Sequence, residues 1–311
     1  MPPHTDILPM RALRQHLAPV AMLAAISLAG ASSAATPGAA AYYERALMHA
    51  ADARCHLFAP ELGSALASAE AQARGAALRA GASSSNLRAL ASQAASRQTG
   101  LACNSPDLAV AAARVKTAFA GYSHLIRMSF PGDDAAWQAD RTLPLHTPIW
   151  RLSQLTSAGP THLIFGLAGD YGHPAQLVAI GDFGPDETPY AAQLMVRDTT
   201  RAPEPYLQAV SVSAWSRLPL AERAPPRSAT LAYTAEARTT ADKTLLPRGS
   251  TTGVAFRFPP AAAQALAGLD PREAVSLVFL IQDSSGARAR RAYVEVGDFA
   301  AGQAFLAAAG R

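Results

Sequence analysis

Charge is scarce in this chain, and so are aromatic residues and cysteine. Charged side chains make up 16% of the 311 residues and aromatics 7%. Lys and Arg number 27 against 23 Asp and Glu, a formal charge of +4. That excess is small and scattered. No Lys/Arg-rich block is present to track phosphates, so nucleic acid is not an expected partner. No Walker loop, Gly-x-Ser-x-Gly elbow, His-Glu-x-x-His, Cys-x-x-Cys or Ser-x-x-Lys occurs anywhere. Each absence removes one familiar route to phosphoryl transfer, acyl transfer, metal hydrolysis or thiol exchange. No cofactor is expected, and no enzyme class is positively indicated. Glycines 166, 169 and 172 do not follow the dinucleotide fingerprint, and a strand rather than a helix follows them.

Long hydrophobic runs are also missing. The one apolar stretch of note, Leu17 to Gly30, is too short to span a bilayer. Arg11 and Arg14 precede it, and Ala31-Ser32-Ser33-Ala34-Ala35 follows. Positive n-region, short apolar core and small residues for cleavage together read as a secretory signal over 1–35. The expected location is therefore periplasmic or secreted, with no transmembrane segment after cleavage.

Two cysteines are present, Cys55 and Cys103. An even pair in an exported chain predicts a disulfide.

Residues 36–126 read as helices. Ala40 to Phe58 carries no breaker, after a Thr36-Pro37 cap. Pro60 opens a second helix that runs to Gly81. Ser83-Ser84-Ser85 caps a third, closed by Gly100. Ser105-Pro106-Asp107 combines a cap, a first-turn proline and an acid at the positive end of the helix dipole. In a four-helix up-down bundle Cys55 and Cys103 fall at the same end, where a bridge would close the bundle.

From about 127 the pattern changes to short apolar runs between Pro/Gly turns. Strands are expected at Trp150–Leu155, His162–Ala168, Gln176–Ile180, Gln193–Arg197, Ala209–Trp215, Thr230–Ala235, Gly253–Phe258, Ser276–Ile281 and Ala292–Val296. Their spacing suits an antiparallel β-sandwich over 127–311. Val178-Ala179-Ile180-Gly181-Asp182-Phe183 returns as Val294-Glu295-Val296-Gly297-Asp298-Phe299. Leu163-Ile164-Phe165 likewise matches Leu277-Val278-Phe279, in the same order. These echoes predict a sandwich of two related halves. Short helices are expected at 260–269 and 302–309. The fold class is thus α+β with segregated helices and strands.

Candidate sites are few. His49, Asp52 and His56 share one helix face, a spacing that suits acid–base or ligand contact and equally a solvated face beside Tyr43, Leu47, Ala51 and Phe58. Asp170 and His173 form a possible acid–base pair, with His162 or Asp182 as a third member. Trp137 among Asp133, Asp134 and Asp140 is one way to hold a sugar, although a connector between the halves fits equally. Asp182 and Asp298 offer too few oxygens for calcium, and no metal site is expected. The reading is a non-enzymatic binding or scaffold protein of the cell envelope. Its partner would be an envelope protein or a cell-wall component. The alternative is a hydrolase of glycans or peptides using Asp/His chemistry.

Overall fold

A computed structural model describes residues 38–206, 212–284 and 286–307. The expected signal over 1–35, the expected Thr36-Pro37 cap and the end of the expected 302–309 helix lie outside these residues.

Helices come first: α1 (Ala39–Cys55), α2 (Pro60–Arg79), α3 (Ser84–Thr99) and α4 (Pro106–Phe119). Their starts follow the sequence signals. Ser83 Oγ accepts the Asn86 amide at 3.1 Å, and Ser105 Oγ accepts that of Leu108 at 3.2 Å. Each such cap contributes about 1 kcal/mol. α1 stops at Cys55 rather than Phe58 for a local reason. His56 adopts φ 50°, in the left-handed region, and the Asp52 carboxylate takes the Phe58 amide at 2.9 Å. The chain is turned out of the helix by that bond.

The disulfide joins Cys55 to Cys103, with Cα atoms 5.5 Å apart. Arg54 supports the same junction by donating to the carbonyls of Thr99 and Leu101. The four helices do not close around a single core, however. Tyr42, Ala77, Leu78 and Leu87 form one apolar cluster among α1, α2 and α3. Met48, Ala51, Leu66, Leu108 and Ala112 form another among α1, α2 and α4. The buried stripe of α1 runs through Tyr42, Ala46 and Ala51, so Tyr43 and Leu47 lie beside it.

The rest of the chain builds two antiparallel sheets. The strands are β1 (Arg127–Phe130), β2 (Trp137–Asp140), β3 (Ile149–Ala158), β4 (Thr161–Gly169), β5 (Gln176–Gly181), β6 (Thr188–Arg197), β7 (Thr230–Thr234), β8 (Ala237–Thr240), β9 (Val254–Arg257), β10 (Ala274–Asp283) and β11 (Gly286–Glu295). One sheet has the order β1-β2-β3-β4-β5-β9-β8 and the other β11-β10-β6-β7. Their inner faces share one core. Phe165, Leu167, Ala179 and Phe256 from the larger sheet join Leu194, Leu277, Phe279 and Val294 from the smaller. Phe256 and Phe279 meet across the interface with centroids 5.7 Å apart. The expected strand at 209–215 is not one where it is described, because α5 (Val212–Trp215) is a short helix, followed by α6 (Leu220–Arg223). α7 (Pro260–Gly268) falls where a helix was expected.

α8 (Phe299–Leu306) binds the helices to the sheets. On one side Ser64 and Ser68 of α2 donate to its Ala304 and Ala301 carbonyls at 2.5 and 2.8 Å. On the other side Phe299 packs on Trp137 and Phe305 on Phe130. The described residues all fall in one compact unit. α2 therefore faces α1 on one side and α8 on the other, which is why no closed bundle forms.

The two Gly-Asp-Phe copies are not equivalent in the fold. Leu163 stands opposite Gly181 in the β4–β5 hairpin, but Leu277 stands opposite Ala292 in β10–β11. The offset is odd, so the side chains exchange faces. Val178 and Ile180 pack outward under Leu245, while Val294 and Val296 point into the shared core. The matching Phe183 and Phe299 both reach that core. The resemblance is one of local composition and does not relate two halves.

Candidate functional site

A buried ionic region lies where α2, α8, β11 and the turn after β1 meet. Glu295, at the end of β11, is fully buried. Its carboxylate accepts the amides of Asp133, Asp134 and Ala135 at 2.7, 2.8 and 3.0 Å. Arg223 of α6, also buried, donates to Glu295 at 3.4 Å and pairs with Asp134. Gly132 makes this approach possible, since a Cβ there would lie 2.5 Å from Glu295 Oε2.

Asp298 sits beside this group. Both of its oxygens accept from Arg79 of α2, at 3.0 and 3.1 Å. Gly75 lets it come that close, because a Cβ would stand 2.5 Å from Asp298 Oδ1. Burial, with Asp133 and Glu295 adding to it, pushes the Asp298 carboxyl up from 3.8 to about 6 against the opposing pull of Arg79. Asp133 is raised as well, by burial first and then by the Glu295 charge. A cleft of about 340 Å³ opens over Asp298, lined also by Arg74, Gly75, Leu269 and Ala301.

A second buried ionic set lies on the same flank. Arg197 donates to both oxygens of Glu273 at 2.7 and 2.8 Å, and Arg272 to both of Asp270 at 2.9 and 2.8 Å. Trp215 lies within 5.8 Å of both the Arg223 and Arg272 guanidinium groups. Burial raises the Glu273 carboxyl even against Arg197. All these acids are held by arginines or backbone amides of the chain itself. Such pairs are costly to break and are weak evidence for chemistry.

The sequence candidates separate into different places. His49, Asp52 and His56 do come together, around a depression of about 390 Å³ that also touches Phe58, Ser64 and Ala307. His49 Nδ1 is 2.5 Å from Glu70 Oε2, and this bond raises the imidazole above its ordinary 6.5. Asp52 is occupied by the Phe58 amide. Among the described residues no group of three or more His, Cys, Asp and Glu is placed to hold a metal ion.

Asp170 and His173 do meet, at 2.9 Å, but on a turn where His173 is 82% exposed. Asp170 Oδ1 also accepts the amides of Gly172 and His173, which makes it a turn-forming acid. His162 and Asp182 lie at the opposite end of the β4–β5 hairpin, roughly 26 Å away along the strand. That constellation does not converge. Asp182 accepts the Gly184 amide at 3.1 Å in its own turn and has no relation to Asp298. Trp137 faces inward: it is fully buried in β2 and donates Nε1 to the Val296 carbonyl at 2.9 Å. Its ring is a core element, out of reach of a sugar.

Sequence reasoning missed Glu295, Arg223, Arg79 and Glu273. The one available signal was the pair of glycines, Gly75 and Gly132, standing where a side chain would collide. No family model, no curated protein and no solved structure matches this chain.

Proposed function

We propose that this chain is an exported cell-envelope protein that binds or scaffolds a partner and performs no catalysis itself. Export is supported by the signal-like sequence at 1–35 and is compatible with the closed Cys55–Cys103 bridge. The observation that carries the non-catalytic reading is the satisfaction of the interior acids. Glu295 is held by three amides and Arg223, Asp298 by Arg79, and Glu273 by Arg197. Each of these acids is thus partnered within the chain itself, as expected of structural ion pairs.

The binding surface that fits this reading best is the open depression between the end of α1 and the start of α2. There the half-exposed His49 imidazole, paired with Glu70 behind it, and the Asp52 carboxylate stand beside Phe58 and Pro60. Such a site offers a donor, an acceptor and an apolar wall, which suits a polar envelope protein or cell-wall component. Placing a photocrosslinking residue at the exposed rim position Ala59, with Arg114 on α4 as control, tests it in envelope fractions. Adducts specific to position 59 are expected. Recovery of the chain in the cytoplasm, or identical adducts at both positions, refutes the proposal.

A further inference from the structure

Among the described residues two sheets present four edge strands: β1 and β8 on the larger, β11 and β7 on the smaller. Unprotected edges invite pairing, and folded proteins blunt them with charge or proline. β1 carries Arg127, β8 carries Arg238, and β11 carries Arg288, Arg290 and Arg291. β7 reads Thr-Leu-Ala-Tyr-Thr, with neither a charge nor a proline. Leu231, Ala232 and Thr234 are exposed.

The pairing of β7 with β6 shows which backbone groups are free. Ala235 donates to the Ala192 carbonyl and Asp198 to that of Ala229, both at 2.9 Å. With the register Leu194↔Tyr233 and Val196↔Leu231, the amides and carbonyls of Leu231 and Tyr233 point to β6. Those of Thr230, Ala232 and Thr234 point outward. Among the described residues none of them has a backbone partner.

We propose that β7 pairs antiparallel with β7 of a second copy of this chain, with Ala232 on the two-fold axis. The sequence is complementary to itself in that register. Ala232 faces Ala232, and Thr230 faces Thr234 in outward-bonding pairs, giving about six new backbone hydrogen bonds. Leu231 faces Tyr233 on the core side, where Tyr233 already packs against the shared core. The charges just beyond the strand agree: Arg227 and Glu236 are both exposed. In this arrangement Arg227 of each copy approaches Glu236 of the other, so opposite charges meet at both ends. The two four-stranded sheets become one continuous sheet, closed by an isologous contact that cannot propagate into a filament.

Sedimentation velocity of the full chain over a wide concentration range tests this. A concentration-dependent doubling of mass is expected. Ala232→Pro removes an N–H that the single copy does not use, and is expected to weaken the dimer by about tenfold or more. Because proline also restricts the backbone, a charge exchange gives an independent reading. Arg227→Glu and Glu236→Arg should each weaken the dimer, and the double variant should restore it. A monomer at every concentration overturns the proposal. So does a dimer indifferent to Ala232→Pro and to the charge exchange.

Discussion

Asp298 makes a specific demand on the pH dependence of stability. In the unfolded chain its carboxyl has its ordinary pKa of 3.8, and in the fold burial lifts it to about 6. An acid whose folded pKa is raised binds more protons folded than unfolded between those two values. Stability therefore falls as pH rises through that window and levels off above about 6. A gap of about 2 pH units corresponds to about 3 kcal/mol between its two ends. For a chain of this size that is about 6–10 °C in melting temperature. Asp298→Asn removes the titration while keeping a carbonyl for Arg79. The absolute stability of the variant is not the readout, since the amide gives up one of the two bonds from Arg79. The readout is the difference between wild type and variant, in which the separate titration of Glu273 largely cancels. Thermal unfolding followed by circular dichroism from about pH 4 to 7.5 at fixed ionic strength measures it. Wild type should gain about 3 kcal/mol relative to the variant on going from the upper end to the lower. Parallel curves, or a wild type that loses ground in acid, would refute the reasoning.

Other expectations are simpler. Cys55→Ser with Cys103→Ser opens a loop with a sequence separation of 48 and should cost about 4 kcal/mol on the chain-entropy model, read by denaturant unfolding under oxidising conditions. Reducing the wild type should produce the same loss. Gly132→Ala drives a methyl onto the Ala135 carbonyl and the Glu295 carboxylate, so a loss of about 3 kcal/mol in the same assay is expected. By NMR titration the His49 imidazole should titrate above 6.5, and Glu70→Gln should lower its midpoint because the bond that raises it is gone. The stabilisation from that pair is present at low pH and fades as pH rises through the His49 midpoint.

Much of the fold was legible because its signals are local. Ser83, Ser105 and Pro106 announce helix starts through their own local chemistry, and short apolar runs between turns mark β4, β5, β6 and β10. β1, β2 and β8 were not anticipated. They are four-residue strands, too short to show a period, and β2 hides its Trp137 among acids. The duplication misled for a related reason. A shared Gly-Asp-Phe reports that a strand ends and a Phe turns inward, but says nothing about register, and register decides which face is buried. The buried ionic junction was the least visible part. Arg223 and Glu295 are 72 positions apart and Arg79 and Asp298 are 219 apart. Each reads alone as an ordinary surface charge, and only the fold removes the water from around it.

The position of α8 bears on the order in which this chain can fold. α2 is among the first elements to be made and α8 is the last described, yet each covers the other. Until α8 arrives, Ser64 and Ser68 have no carbonyls to bond, and Trp137 lacks both Phe299 and the Val296 carbonyl. The contacts that α8 supplies on both of its faces are therefore completed only when the last described helix is in place. Interruption shortly before Phe299 would leave the faces of α2 and of Trp137 and Phe130 that α8 covers open to solvent.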